Sequence, residues 1–149
     1  MRILAVNGSP KGTESNTDFL LKPFMEGAQE AGAKAEIVYL AEKIINYCRG
    51  CLNCWVTGDC IHKDDMVELL SKFRKSDVIV YATPLYVFSV SGLMKNFMDR
   101  SSVIHMKSDI VKREHQFIHP MLHKEDWPKR AVLISNAGYP ERHHFNGLL

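Results

Sequence analysis

Four cysteines, Cys48, Cys51, Cys54 and Cys60, fall close together in a 149-residue chain that has no others. The run reads C-x2-C-x2-C-x5-C. Consecutive two-residue gaps let a tight turn present successive thiolates to one face of an iron–sulfur cube while its amides point at sulfur. Zinc sites instead pair two C-x2-C knuckles across a longer spacer. The spacing favours a 4Fe–4S cubane over zinc, with four reduced thiols and no metal as the third possibility. His115, His119 and His123 stand at i, i+4 and i+8 and would line one helical face. Pro120 interrupts that helix and no carboxylate spacing supports a metal, so a polar or partner-contacting surface is the expectation there.

A second group offers hydroxyls and amides rather than thiols. Ser9, Lys11, Thr13, Ser15, Asn16 and Thr17 follow a short apolar run and precede a helix, where free amides and the helix dipole favour a phosphate. The stretch is neither Gly-x-Gly-x-x-Gly nor a Gly-Lys-Ser/Thr phosphate loop. Its plainer reading is a turn with Ser15 or Asn16 as helix cap. A third group, Thr83-Pro84-Leu85-Tyr86-Val87-Phe88-Ser89-Val90-Ser91-Gly92, places aromatics and hydroxyls where they could pack beside a flat heterocycle. Ser135-Asn136-Ala137-Gly138-Tyr139 is the fourth.

The elements that must position these groups alternate. Residues 2–7 read as a buried strand, and a helix follows over 17–31 with Leu20, Phe24, Ala28 and Ala31 as its apolar stripe and Gly32 as its stop. Pro23 inside it predicts a kink or a late start to the regular helix. Ile37 to Leu40 is the second strand, and residues 41–62 form a long loop holding every cysteine. A helix over 63–75 carries Met66, Leu69, Leu70 and Phe73, with Asp64 and Asp65 at its positive end. A third strand spans 77–82. Leu93, Met94, Phe97 and Met98 mark a further helix, residues 102–128 show only weak periodicity, and 130–135 is the fourth strand. Such alternation predicts one domain over residues 1–149, a doubly wound α/β fold with a parallel sheet. Ligands of such sheets bind outside the carboxyl ends of the strands, where the three hydroxyl-bearing loops converge.

Composition narrows the function. Apolar residues make up 46% and charged residues 24%, which excludes disordered and collagen-like chains. The net charge of +2 gives no push toward nucleic acid. The longest apolar stretch, Val78 to Val90, is too short and too interrupted to span a membrane. The N-terminus lacks the pattern of a secretory signal, so a reducing, cytoplasmic setting is expected.

Taken together, Gly8-Ser9-Pro10-Lys11 with Ser15-Asn16-Thr17, the run Cys48 to Cys60 leading into Ile61-His62-Lys63-Asp64-Asp65-Met66, Thr83-Pro84-Leu85-Tyr86 through Ser91 to Met94-Lys95 and Asp99-Arg100, and Ser135-Asn136-Ala137-Gly138 resemble the iron–sulfur flavoprotein branch of the NAD(P)H-dependent FMN reductase-like superfamily. The resemblance implies a flavodoxin-like fold with FMN at the switch point. The FMN phosphate would sit on Ser9, Lys11, Ser15, Asn16 and Thr17. Its ring would lie against Thr83, Pro84, Leu85, Tyr86 and Ser89, with Asn136, Ala137 and Gly138 on the far side. The four cysteines would hold a 4Fe–4S cluster.

The expected activity is that of an FMN-dependent oxidoreductase, with NAD(P)H as co-substrate and a small molecule or redox protein as acceptor. A flavodoxin-like electron carrier and a zinc-stabilised binding module are the alternatives. Flavodoxin-like sheets order their strands 2-1-3-4-5, and the sequence signals four of the five. The expectation is either a fragment or a chain whose open edge is covered by self-association, as a homodimer or larger.

Overall fold

The computed structural model describes residues 1–105, 111–113, 116–118, 128, 130–139 and 141–148. A parallel sheet of β1 (Arg2–Asn7), β2 (Lys34–Tyr39), β3 (Val78–Pro84) and β6 (Arg130–Asn136) runs in the order β2-β1-β3-β6. This is the flavodoxin-like 2-1-3-4 order, with β6 as the fourth strand. Helices α1 (Asn16–Glu30), α3 (Met66–Arg74) and α4 (Gly92–Ser101) supply the layers, and a short α2 (Asn53–Thr57) lies within the cysteine segment. Strands β4 (Val111–Arg113) and β5 (Gln116–Ile118) form a separate antiparallel hairpin. Strand structure over Gln116–Ile118 excludes a helix joining His115 to His119. Those two and His123 themselves lie outside the described residues.

The pleat sorts β1 and β3 between two cores, since alternate residues face opposite sides of a sheet. Leu4, Val6 and Ile79 pack with Met66, Leu69, Phe73, Met94 and Phe97 of α3 and α4. Ile3, Ala5, Val80 and Ala82 pack with Leu21 and Met25 of α1. The buried stripe of α1 therefore runs through Leu21 and Met25, one residue beyond the expected Leu20 and Phe24. Those two are 45% and 39% exposed, and Phe19 is 79% exposed. Apolar residues lie on several sides of this helix, so spacing alone did not select the buried one. The helix is continuous through Pro23. Strand β2 begins earlier and α3 later than expected. No helix among the described residues is long and apolar enough to cross a membrane.

Candidate functional site

The loop after β1 is folded by its own polar groups. Gly8 is gripped from both sides: its N–H donates to the Ala82 carbonyl at 2.7 Å, and its carbonyl accepts from the Ser91 hydroxyl at 2.5 Å. A Cβ at Gly8 would stand 2.8 Å from Met94 Cβ, so only glycine permits this approach of loop to helix. The Ser9 amide donates to Asn7 Oδ1 at 2.9 Å, and Ser9 Oγ accepts from the Lys11 amide at 3.3 Å. Ser15 caps α1: its hydroxyl donates to the Gly12 carbonyl at 2.7 Å and accepts from the Asp18 amide at 3.0 Å. The Phe19 amide is taken by the Ser15 carbonyl. The Asn16 and Thr17 amides open the helix ahead of its first intrahelical acceptor, where donors are free for a ligand. Beneath them Asp18, 1% exposed, pairs with Lys22 at 2.9 Å and accepts from Asn7 Nδ2 at 3.3 Å. Burial, followed by a hydrogen bond to Asp18, pushes the Tyr39 hydroxyl up to about 12.

The three predicted loops meet at the carboxyl edge of the sheet. Thr17 Oγ1 donates to Asn136 Oδ1 at 2.7 Å, joining the first loop to the third. The Leu85 amide donates to the Asn136 carbonyl at 2.8 Å, joining the second to the third. Asn136 is thus the hinge-pin of the edge. Thr83 and Pro84 are buried. The Thr83 hydroxyl donates to the Pro84 carbonyl at 3.1 Å and accepts from the Ser91 amide at 3.0 Å. Its carbonyl accepts from Ser135 Oγ at 2.9 Å. Thr83 is therefore framework beneath the edge, whereas Lys11, Asn16, Tyr86, Ser89 and Gly138 are exposed at it, with Leu85 and Ala137 half-buried.

After Leu85 the chain makes a two-residue turn in which Tyr86 and Ser89 exchange both backbone hydrogen bonds. Val87 and Phe88 sit at its centre with φ of 48° and 61°, a left-handed conformation that costs a side-chain-bearing residue roughly 1–2 kcal/mol. Strain of this kind gathers at ligand-binding loops. A cavity of about 350 Å³ opens beside it, lined by Pro10, Tyr86, Ser91, Leu93 and two residues sequence reasoning missed, Ile45 and Tyr47.

Tyr47 leads straight into the cysteine segment. All four cysteines line one cavity of about 200 Å³. Left-handed turns at Gly50, Leu52 and Gly58 fold the segment around α2, and Asn53 Nδ2 fastens it by donating to Thr57 Oγ1 and to the Asp59 carbonyl, each at 3.0 Å. Burial pushes the Cys54 thiol up, and the nearby Cys60, Cys48 and Cys51 push the same way against a backbone hydrogen bond. Among the described residues no three His, Cys, Asp or Glu groups are gathered tightly enough for a single metal ion. His62 also lines the chamber, and its Nε2 is buried with no hydrogen-bond partner, an orphan that a sulfur acceptor would satisfy.

What holds the segment in place was not visible from sequence spacing. Arg100, a polar residue inside the α4 pattern, is 3% exposed. It donates to the Asn46 carbonyl at 2.6 Å and to both Asp64 oxygens at 2.8 and 3.0 Å. Asp64 also accepts from the Asn46 amide at 2.9 Å, Asp65 from the Ile44 amide at 2.7 Å, and the Ile45 carbonyl from Asn96 Nδ2 at 2.9 Å. Burial opposes the Asp64 charge, but bonds from Arg100 and Asn46 outweigh it and hold the carboxyl well below the usual carboxylate range.

Comparison with known proteins places this arrangement. The chain is 42% identical over 106 residues to an iron-sulfur flavoprotein of Archaeoglobus fulgidus, covering 71% of this chain and 51% of the relative. It is 37% identical over 101 residues to an iron-sulfur flavoprotein of Methanocaldococcus jannaschii, covering 68% and 52%. The chain thus spans about half the length of the curated relatives it matches. An NAD(P)H:quinone oxidoreductase from Methanothermobacter marburgensis shares the fold, with a TM-score of 0.69 at 18% identity over 96% of this chain and 70% of that one. The family model described as NADPH-dependent FMN reductase matches residues 1–135, and to that family the chain belongs.

Proposed function

We propose that the chain is the FMN-binding part of an oxidoreductase that takes electrons from NAD(P)H and passes them, through a 4Fe–4S cluster on the four cysteines, to a small acceptor or redox partner. The observation that carries the flavin reading is the joining of all three predicted loops at Asn136. FMN, when bound, supplies hydride acceptance and one-electron release. The chain's residues bind and orient it. The Asn16 and Thr17 amides and Lys11 hold the phosphate, with Ser9 and Ser15 shaping their loop. Pro84, Leu85, Tyr86 and Ser89 flank one side of the ring, and Asn136, Ala137 and Gly138 the other. Lack of a Gly-x-Gly-x-x-Gly turn supports FMN over a dinucleotide flavin.

The cluster reading is supported by the four-cysteine chamber, by the His62 orphan and by the names of the relatives. Tyr47 lines the cavity at the sheet edge and its neighbour Cys48 lines the chamber, so the two centres would lie close together. The outer edge of β6 pairs with no strand among the described residues, and we include self-association through that edge in the proposal.

Mixing the purified, FMN-loaded chain with NADPH in the absence of oxygen tests the enzymatic reading. Rapid bleaching of the flavin is expected. A flavin that stays oxidised while dithionite reduces it would mark an electron carrier instead.

A further inference from the structure

Asp18 is a buried acid in the first turn of α1, and the binding scheme above leaves it without a task. An acid at this place in a helix commonly bonds back to the amide of the cap residue, and its charge suits the helix dipole. Here both carboxylate oxygens turn elsewhere: Lys22 Nζ stands 2.9 Å from Oδ2, and Asn7 Nδ2 donates to Oδ1 at 3.3 Å. Asn7 is itself fully buried, at the end of β1. A carboxylate only accepts, so it takes the NH2 group of the Asn7 amide and leaves the amide oxygen facing the other way. That oxygen accepts from the Ser9 amide at 2.9 Å. Ser9, also buried, then fixes the rest of the turn. Its carbonyl accepts from the Gly12 amide at 3.1 Å and its hydroxyl from the Lys11 amide at 3.3 Å. One chain of bonds thus runs from Asp18 through Asn7 and Ser9 to the backbone of Lys11 and Gly12. The carboxylate is of the wrong sign for a neighbour of phosphate, since like charges disfavour each other. An apolar side chain of similar volume would fill the space as well, so what the acid adds is the bond to Asn7.

We propose that Asp18 is a positioning residue for the phosphate loop: acting through Asn7, it presets residues 9–12 in the shape that receives the FMN phosphate, and so sets a preference for FMN over riboflavin, the same flavin without the phosphate. This role rests on the FMN reading proposed above. A loop already in its bound shape loses little freedom on binding, which raises affinity. Without the carboxylate the Asn7 amide is free to turn over. Its NH2 group would then face the Ser9 N–H, donor against donor, and the turn would lose its anchor. Riboflavin has no phosphate to place there, so its binding is insensitive to the loss.

The test is fluorescence titration of FMN, and separately of riboflavin, into the folded, cofactor-free chain. Asp18→Ala and Asn7→Ala are each expected to weaken FMN binding about tenfold, the usual scale of coupling within one network, and riboflavin binding less than about twofold. The double variant should bind FMN no more weakly than either single one, because Asp18 acts through Asn7. Losses that add in the double variant, or equal losses for both flavins, would overturn the role. Tighter FMN binding by Asp18→Ala would overturn it too, showing a carboxylate that merely opposes the phosphate. Should the variants fail to fold, amide hydrogen exchange of the wild-type chain serves instead. The Ser9 amide is expected to be protected in the cofactor-free chain, and protection that arises only once FMN is added overturns the preset loop. A folded wild-type chain that binds FMN no more tightly than riboflavin overturns the phosphate assignment itself, and Asp18's role with it.

Discussion

Asp64 and Arg100 form a pair whose energetics can be read from its surroundings. Their side chains are 4% and 1% exposed, so removing one leaves the other buried and unpaired, at a cost of about 3–5 kcal/mol. Asp64→Asn is expected to destabilise the fold by that order at pH 7. Because the folded-state carboxyl is depressed, its contribution is complete above the unfolded value of about 3.9 and is lost as pH falls through the folded value. Denaturant unfolding at pH 7 and pH 3 checks this: the gap between wild type and variant should narrow at pH 3, and an equal gap at both would contradict it. Ser15 and Thr17 separate two roles that the sequence had merged. Ser15 is a helix cap, so Ser15→Ala should lower stability by about 0.5–2 kcal/mol. Thr17→Val deletes the bond to Asn136 while keeping shape. It should lower folding stability by about 0.5–1.5 kcal/mol, read by denaturant unfolding, and weaken FMN binding by loosening the edge, read by fluorescence titration.

At the scale of elements, the turn at Val87 and Phe88 is the clearest local conflict. Left-handed positions in a two-residue turn favour Asn-Gly, and here they hold a β-branched and an aromatic residue. Replacing Val87 by Asn and Phe88 by Gly should raise thermal stability by relieving about 1–2 kcal/mol of strain per residue. An unchanged or lower melting temperature would show that the contact between Phe88 and His144, with ring centroids 5.6 Å apart, outweighs the strain. The strands were legible from their apolar runs, and the α3 face from Met66, Leu69, Leu70 and Phe73, since both periodicities are strong there. The buried face of α1 was not, because apolar residues lie on several of its sides and tertiary packing chose Leu21 and Met25. The α2 turn was hidden by the left-handed Leu52, which no propensity signals. The β4–β5 hairpin was hidden by weak periodicity and a polar composition. In the site, the loops were legible from strand ends and hydroxyls. The anchoring of residues 44–46 by Asn96, Arg100, Asp64 and Asp65 was not, because buried polar partners far apart in sequence leave no spacing to read.

For the whole molecule, two features favour association: the outer edge of β6, with Leu133 41% exposed, and the Phe19, Leu20 and Phe24 surface of α1. Open strand edges invite pairing with another chain, and soluble monomers rarely tolerate large apolar patches. Sedimentation at micromolar concentration is expected to show a dimer or larger, and a well-folded monomer would refute the β6 interface. The central claim is that the sheet edge gathered on Asn136 is an FMN site, and titration of FMN into the folded, cofactor-free chain tests it most directly. Saturable quenching of flavin fluorescence at one FMN per chain is expected. A chain with native circular dichroism that leaves FMN fluorescence unquenched at every concentration would contradict it.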